Sequence, residues 1–191
     1  MEKLLLLDRI ADAGPLSAAC RRDLLLAARV RHVARGTRFS ARVAEPREIV
    51  MIVSGIARLF VTTDDGRDVT QHFARAEEFV MPAARSPRSD ALDVEAVTDV
   101  TCVAIGRHAF EEALSRHPEL SLFYSALLRE RGLWARERRA RSEAVETYEK
   151  FTQLYPGLET QVPTIHLASF LGLSPDEFMR ARRRYRDRGI M

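Results

Sequence analysis

The hydrophobic period of this chain changes once, and that change limits the folds open to it. From Val30 to Ile105 apolar residues recur every second position or run in short β-favouring blocks; after Ile105 they recur at helical spacing. Val30, His32 and Ala34 alternate with Arg29, Arg31 and Arg35. Ile49–Val53 and Ile56–Thr62 are blocks of β-favouring residues separated by Ser54-Gly55. Asp64-Asp65-Gly66 is a hairpin signal, since glycine accepts the positive φ of a tight turn, and Val69–Phe73 returns. Val94–Val97 and Thr101–Ile105 add two strands around Thr98-Asp99. Short strands with frequent turns predict a barrel or sandwich, best matched by a jelly roll. The stretch 82–92, rich in Pro, Ser and Arg, interrupts the pattern and is expected to be a loop suited to a ligand or to variable surface.

Helices flank this β region. Leu4, Leu7 and Ile10 predict an amphipathic helix over 2–13, ended by Gly14-Pro15. Ser17 can cap a second helix reaching about Arg29, with Leu24, Leu25 and Ala28 inward. Beyond the strands, Arg107–Arg116 predicts a short helix, and Pro118 suits the first turn of a long one. Leu120, Tyr124, Leu127, Arg131 and Trp134 step along that helix at heptad-like spacing. It either pairs with a second copy or packs on its own barrel. The spacing favours the pair, with Leu120, Tyr124, Leu127 and Trp134 at the dimer interface. Glu143–Leu154 is a further amphipathic helix, closed by Tyr155-Pro156-Gly157.

The most informative segment is Pro163–Arg188. Thr164–Leu171 predicts a short helix, Gly172 a sharp turn, and Ser174-Pro175-Asp176-Glu177 the start of a second helix. Ser174 and Glu177 can form a capping box, and Pro175 falls where no amide partner is lost. Phe178, Ala181, Arg182 and Tyr185 share one face; Asp176, Arg180, Arg183, Arg184 and Asp187 share the other. Small Ala168 permits close approach of the helices, and Leu173 and Phe178 bury against the first. This is a helix-turn-helix, whose second helix projects its outer face toward a major groove. Its leading arginine can pair bidentately with guanine. The other reading is a helical hairpin with a solvated basic face. The expected DNA contacts are Thr164, Asp176, Glu177, Arg180, Arg183 and Arg184.

Charge supports this only through its placement. The net charge is +3, and Lys3 and Lys150 are the only lysines, so arginine use is general. Six arginines between Arg180 and Arg188 are nonetheless concentrated at one end. No apolar run reaches the ~18 residues of a membrane helix or has the form of a secretory signal, so no membrane association and a cytoplasmic location are expected. Cys20 and Cys102 read as free, buried thiols. No metal or cofactor is expected, because the histidines pair with neither Cys nor carboxylate at ligand spacing along the chain. Asp8, Asp12 and Asp23 read as solvated. No phosphate loop or nucleophile motif marks catalysis, so no catalytic residue is assigned.

The order of parts resembles the Crp/Fnr family of bacterial regulators over nearly the whole chain. Ile49–Val61 with Asp64–Thr70 resembles the family's double-stranded β-helix core, Val94–Ile105 its closing strands, and Val162–Arg180 its helix-turn-helix. The resemblance makes Arg180 the base-reading arginine and puts Asp176 where the family has glutamate. It implies an α+β fold: a sensor jelly roll over 1–116, a dimerisation helix over 117–141, and a DNA-binding domain over 142–191. It implies a homodimer on double-stranded DNA, with a small-molecule effector or none. Two departures stand out. No glycine occurs between Gly66 and Gly106, and Asp90 falls where cyclic-nucleotide-binding members hold phosphate with arginine. A carboxylate there repels phosphate, so cyclic AMP is not the expected effector. Phe79, Arg85 and Arg88 are the residues nearest to an alternative ligand site. Only Gly189-Ile190-Met191 follows the last arginine, so the family's β wing is expected to be absent or replaced by arginines. The competing reading is a sensor or adaptor that acts through protein or small-molecule contacts and has lost specific DNA binding.

Overall fold

The computed structural model describes residues 1–39, 48–80, 92–137 and 143–189, with the backbone alone over 130–137. Two helices, α1 (Glu2–Ala11) and α2 (Ala18–Ala27), precede seven strands: β1 (Ala28–Val33), β2 (Glu48–Ser54), β3 (Ala57–Thr62), β4 (Asp68–Ala74), β5 (Phe79–Val80), β6 (Asp93–Ala96) and β7 (Val100–Gly106). Then come α3 (Arg107–Arg116), α4 (Leu120–Glu137), α5 (Ala144–Leu154), a 3₁₀ turn (Leu158–Thr160), α6 (Thr164–Leu171) and α7 (Pro175–Asp187).

The strands form two antiparallel sheets, ordered β1-β7-β2-β5 and β4-β3-β6, in a jelly-roll-like arrangement. Successive strand residues point to opposite faces. Val50, Ile52, Cys102 and Ala104 therefore share the cluster between the sheets with Leu59, Val94 and Ala96. Their neighbours Ile49, Met51, Val103 and Ile105 lie in a second cluster with residues of α1 to α4. Both faces of β2 and β7 are thus buried, which explains why their sequences read as unbroken apolar blocks.

The β3–β4 hairpin closes at Gly66, with φ of 81° and a 2.8 Å bond from its amide to the Thr63 carbonyl. Ser17 caps α2 by accepting from the Cys20 amide. Two expectations need correction, and one strand was not foreseen. The second helix stops at Ala27, because β1 begins at once in register with β7. Leu4 is exposed, and Leu6 takes the inward place beside Leu7 and Ile10. The two-residue strand β5 lay too short for any periodicity to mark it, yet it pairs with β2.

Gly55 has φ of 87°, and a Cβ there would lie 2.1 Å from the Asp99 carbonyl oxygen. Backbone cannot yield as a side chain can. Gly55→Ala is expected to destabilise the protein by about 2 kcal/mol or more, read as a lower denaturant midpoint at unchanged slope.

Candidate nucleic-acid interface

The C-terminal helices assemble around an aromatic cluster. Tyr148 of α5 meets Phe178 and Tyr185 of α7 edge-on, each at 5.4 Å between ring centres. Ala168 and Ala181 are buried beside them, so α6 and α7 approach closely. Gly172 adopts the left-handed conformation, φ 69°, and the Leu173 amide reaches the Ala168 carbonyl at 2.9 Å, which closes α6 and turns the chain.

The capping box expected at α7 is present: the Ser174 side chain accepts from the Glu177 amide, and the Glu177 carboxylate accepts from the Ser174 amide at 2.8 Å. These bonds hold the Glu177 carboxyl below its usual range. They also commit Glu177 to the cap, so its role at the interface is to fix the start of α7.

With the apolar face of α7 committed to α5 and α6, its other face is left outward. Asp176, Arg180, Arg183 and Arg184 are exposed, as are Arg186 and Arg188. Arg182, on the inner side, pairs with Glu159 of the 3₁₀ turn, which also accepts from the Tyr148 hydroxyl. That hydroxyl pairing and burial push the Tyr148 phenol well up. Neither Glu159 nor its clamp on α7 was legible in the sequence, since a three-residue turn leaves no period. Thr164 is half-buried at the start of α6.

Helix α6 also attaches to the barrel. Strand β4 is an edge of the smaller sheet, so one side of its backbone lacks a strand partner. Ser169 covers that edge: its Oγ accepts from the Thr70 amide at 2.9 Å and donates to the Asp68 carbonyl at 3.2 Å. Phe170 meets Phe73 edge-on at 5.2 Å, and Arg75 lies over the Tyr155 ring. On the same sheet, buried Arg58 is held by Glu95 at 2.6 Å and Asp68 at 3.1 Å, over the Phe60 ring.

The long helix is used differently from the expectation. Leu120 is 0% exposed and Leu127 4%, both packed in the chain's own core with half-buried Tyr124. Among its described side chains, the large apolar ones this helix leaves outside are Leu122 at 62% and Leu128 at 45%. The heptad-like spacing marked a buried stripe, but the barrel and α1 to α3 bury it. The side chain of Trp134 lies outside the described residues, as do Arg85 and Arg88. Phe79 packs edge-on against Phe123 of α4 at 4.9 Å, which joins β5 to the long helix.

The sequence reading also missed a cluster. Cys20, His117 and Glu119, from the start of α2 and the α3–α4 junction, place one ligand atom each within 4.8 Å of one another. Asp23, read as solvated, is bonded to His117 Nε2 and to Arg116, each at 3.0 Å. Spacing along the chain could not reveal residues that only the fold brings together.

Residues 30–117 match the family of the cyclic nucleotide-binding domain. No curated protein sequence matches the chain significantly. Solved structures match over most of its length. FixK2 from Bradyrhizobium japonicum has a TM-score of 0.75 at 17% identity, covering 85% of this chain and 86% of that one. A protein assigned to the Crp/Fnr family of transcriptional regulators, from Eubacterium rectale, has a TM-score of 0.72 at 17% identity, covering 94% and 89%. The c-di-GMP-responsive global regulator CLP from Xanthomonas campestris has a TM-score of 0.67 at 18% identity, covering 91% and 94%. At such identities the likeness establishes the fold. No described helix is long and apolar enough to cross a membrane.

The attachment of α6 has a pH signature. Burial, and after it the Arg58 charge, hold the half-buried His166 imidazole below its ordinary value of 6.5, against a weaker upward pull from Glu95 and Asp68. Its neutral form is therefore favoured in the folded chain. The stability this supports is intact above pH 6.5 and is lost as pH falls through the lower, folded value. The thermal midpoint should fall across that acid window in the wild type and fall less in His166→Gln.

Proposed function

We propose that this chain, which has the Crp/Fnr regulator fold with a cyclic nucleotide-binding domain at residues 30–117, is a cytoplasmic, homodimeric, DNA-binding transcription regulator. The observation that carries the reading is the outward arginine face of α7 behind a capped N-terminus. Arg180 lies near that N-terminus, and reads a base edge, with guanine its natural bidentate partner. Asp176, one turn earlier, sets the neighbouring base preference. Arg183 and Arg184 bind phosphate, and Thr164 meets the backbone from the start of α6. None of the three arginines forms a salt bridge with a described residue, so each is available to the duplex.

Two copies reading a two-fold site need their α7 helices about 34 Å apart, one turn of DNA. Since Leu120 and Leu127 are buried within the chain, the pairing surface we propose is the exposed side of α4 that carries Leu128. Phe79 against Phe123 gives the sensor a mechanical path: an effector that shifts β5 shifts α4 with it. Asp90 stands where the resemblance places the phosphate arginine, so the effector is not cyclic AMP, and the domain either takes another ligand or acts without one.

Three substitutions test this reading. Arg180→Ala should weaken specific binding by about 1–3 kcal/mol and relax discrimination at one base position. Arg183→Ala should weaken binding to all duplexes evenly and reduce the salt slope by about one. Leu128→Glu should shift the mass by light scattering from dimer to monomer. Unchanged site preference in Arg180→Ala, measured by competition among single-base variants, contradicts the assignment.

A further inference from the structure

The N-terminal cluster around Cys20 serves neither the DNA face nor the barrel core. Its three elements meet at one point: the first turn of α2, the His117 cap that ends α3, and Glu119, the residue before α4. Cys20 is fully buried, while His117 and Glu119 are partly open to solvent. We propose that Cys20, His117 and Glu119 form a binding site for a divalent transition-metal ion of the zinc class, with Asp23 orienting the histidine.

Four observations support it. The donor set of one sulfur, one imidazole nitrogen and one carboxylate is the mixture zinc takes, and three protein ligands leave a fourth position for water or another ligand. The donor atoms already lie within 4.8 Å of one another. Ligands of a tetrahedral zinc stand about 3.5 Å apart, given bonds near 2.0–2.3 Å, so only a small contraction is needed. His117 Nε2 is bonded to Asp23 Oδ2 at 3.0 Å, which leaves Nδ1 as the nitrogen for an ion. A carboxylate on the far nitrogen of a ligating histidine is the usual outer partner of such sites. Ser17 likewise fixes Glu119, its hydroxyl donating to the carboxylate at 2.8 Å.

Charge points the same way. Two carboxylates, Glu119 and Asp23, stand at the cluster beside the buried Cys20. A divalent cation offsets those carboxylates and takes the thiolate as its ligand. Cys102 provides an internal comparison: it too is buried, but it belongs to no such donor group among the described residues. Since the site spans α2 and the base of α4, an ion there ties the first part of the chain to the helix that leads toward the DNA head.

The test is a Co²⁺ titration of the chelator-treated full-length protein, followed by displacement with Zn²⁺. The expected result is one ion per chain, with thiolate-to-cobalt charge-transfer absorption that Zn²⁺ erases. Cys20→Ser should lose that absorption, and Cys102→Ser should keep it. His117→Gln and Glu119→Gln should bind Co²⁺ at least about tenfold more weakly. Absence of the thiolate band in the wild type overturns the proposal, and so does its loss in Cys102→Ser with retention in Cys20→Ser. Should Cys20→Ser fail to fold by circular dichroism, the other two variants decide: unchanged affinity in both overturns the site.

Discussion

Ser169 holds two backbone groups of β4 with one hydroxyl, and the geometry of the DNA face depends on that attachment. An edge strand left bare would present unpaired amides and carbonyls to any passing strand. Here the first helix of the helix-turn-helix covers them. Because α6 is taken up by the barrel on one side and by α7 on another, and α7 turns its Phe178–Ala181 face to α5 and α6, the arginine stripe is left exposed. The outward direction of Arg180, Arg183 and Arg184 is thus a consequence of packing.

Two sets of contacts tie the barrel to the helices around it. One is direct, through β4 to α6 with Phe73 against Phe170 and the Arg58 ion pairs alongside. The other holds the long helix, where Phe79 of the barrel meets Phe123 of α4 and Phe110 of α3 packs alongside. Burying Leu120 and Leu127 inside the chain fixes the first part of α4 to the barrel.

Much of this was legible in the sequence for reasons that are local. The Asp64-Asp65-Gly66 hairpin, the Ser17 cap and the Ser174–Glu177 box depend on residues within a few positions of each other, and all three are present. The arginine face of α7 followed from a helical period anchored by Phe178 and Ala181. What failed was partner choice. The heptad-like spacing of Leu120, Tyr124 and Leu127 marked a buried stripe but could not say which surface buries it. The Cys20–His117–Glu119 cluster and the Glu159 clamp on Arg182 join distant segments, and no local pattern encodes such meetings.

The central claim is that two outward α7 helices read DNA together. Selection from random duplexes by the purified full-length protein, with the enriched sequences read in bulk, tests it most directly. The account predicts an inverted repeat whose half-sites are centred about 10–10.5 base pairs apart, each with a guanine at a fixed position. Recovery of unenriched sequences, or of a single half-site without two-fold symmetry, would contradict it.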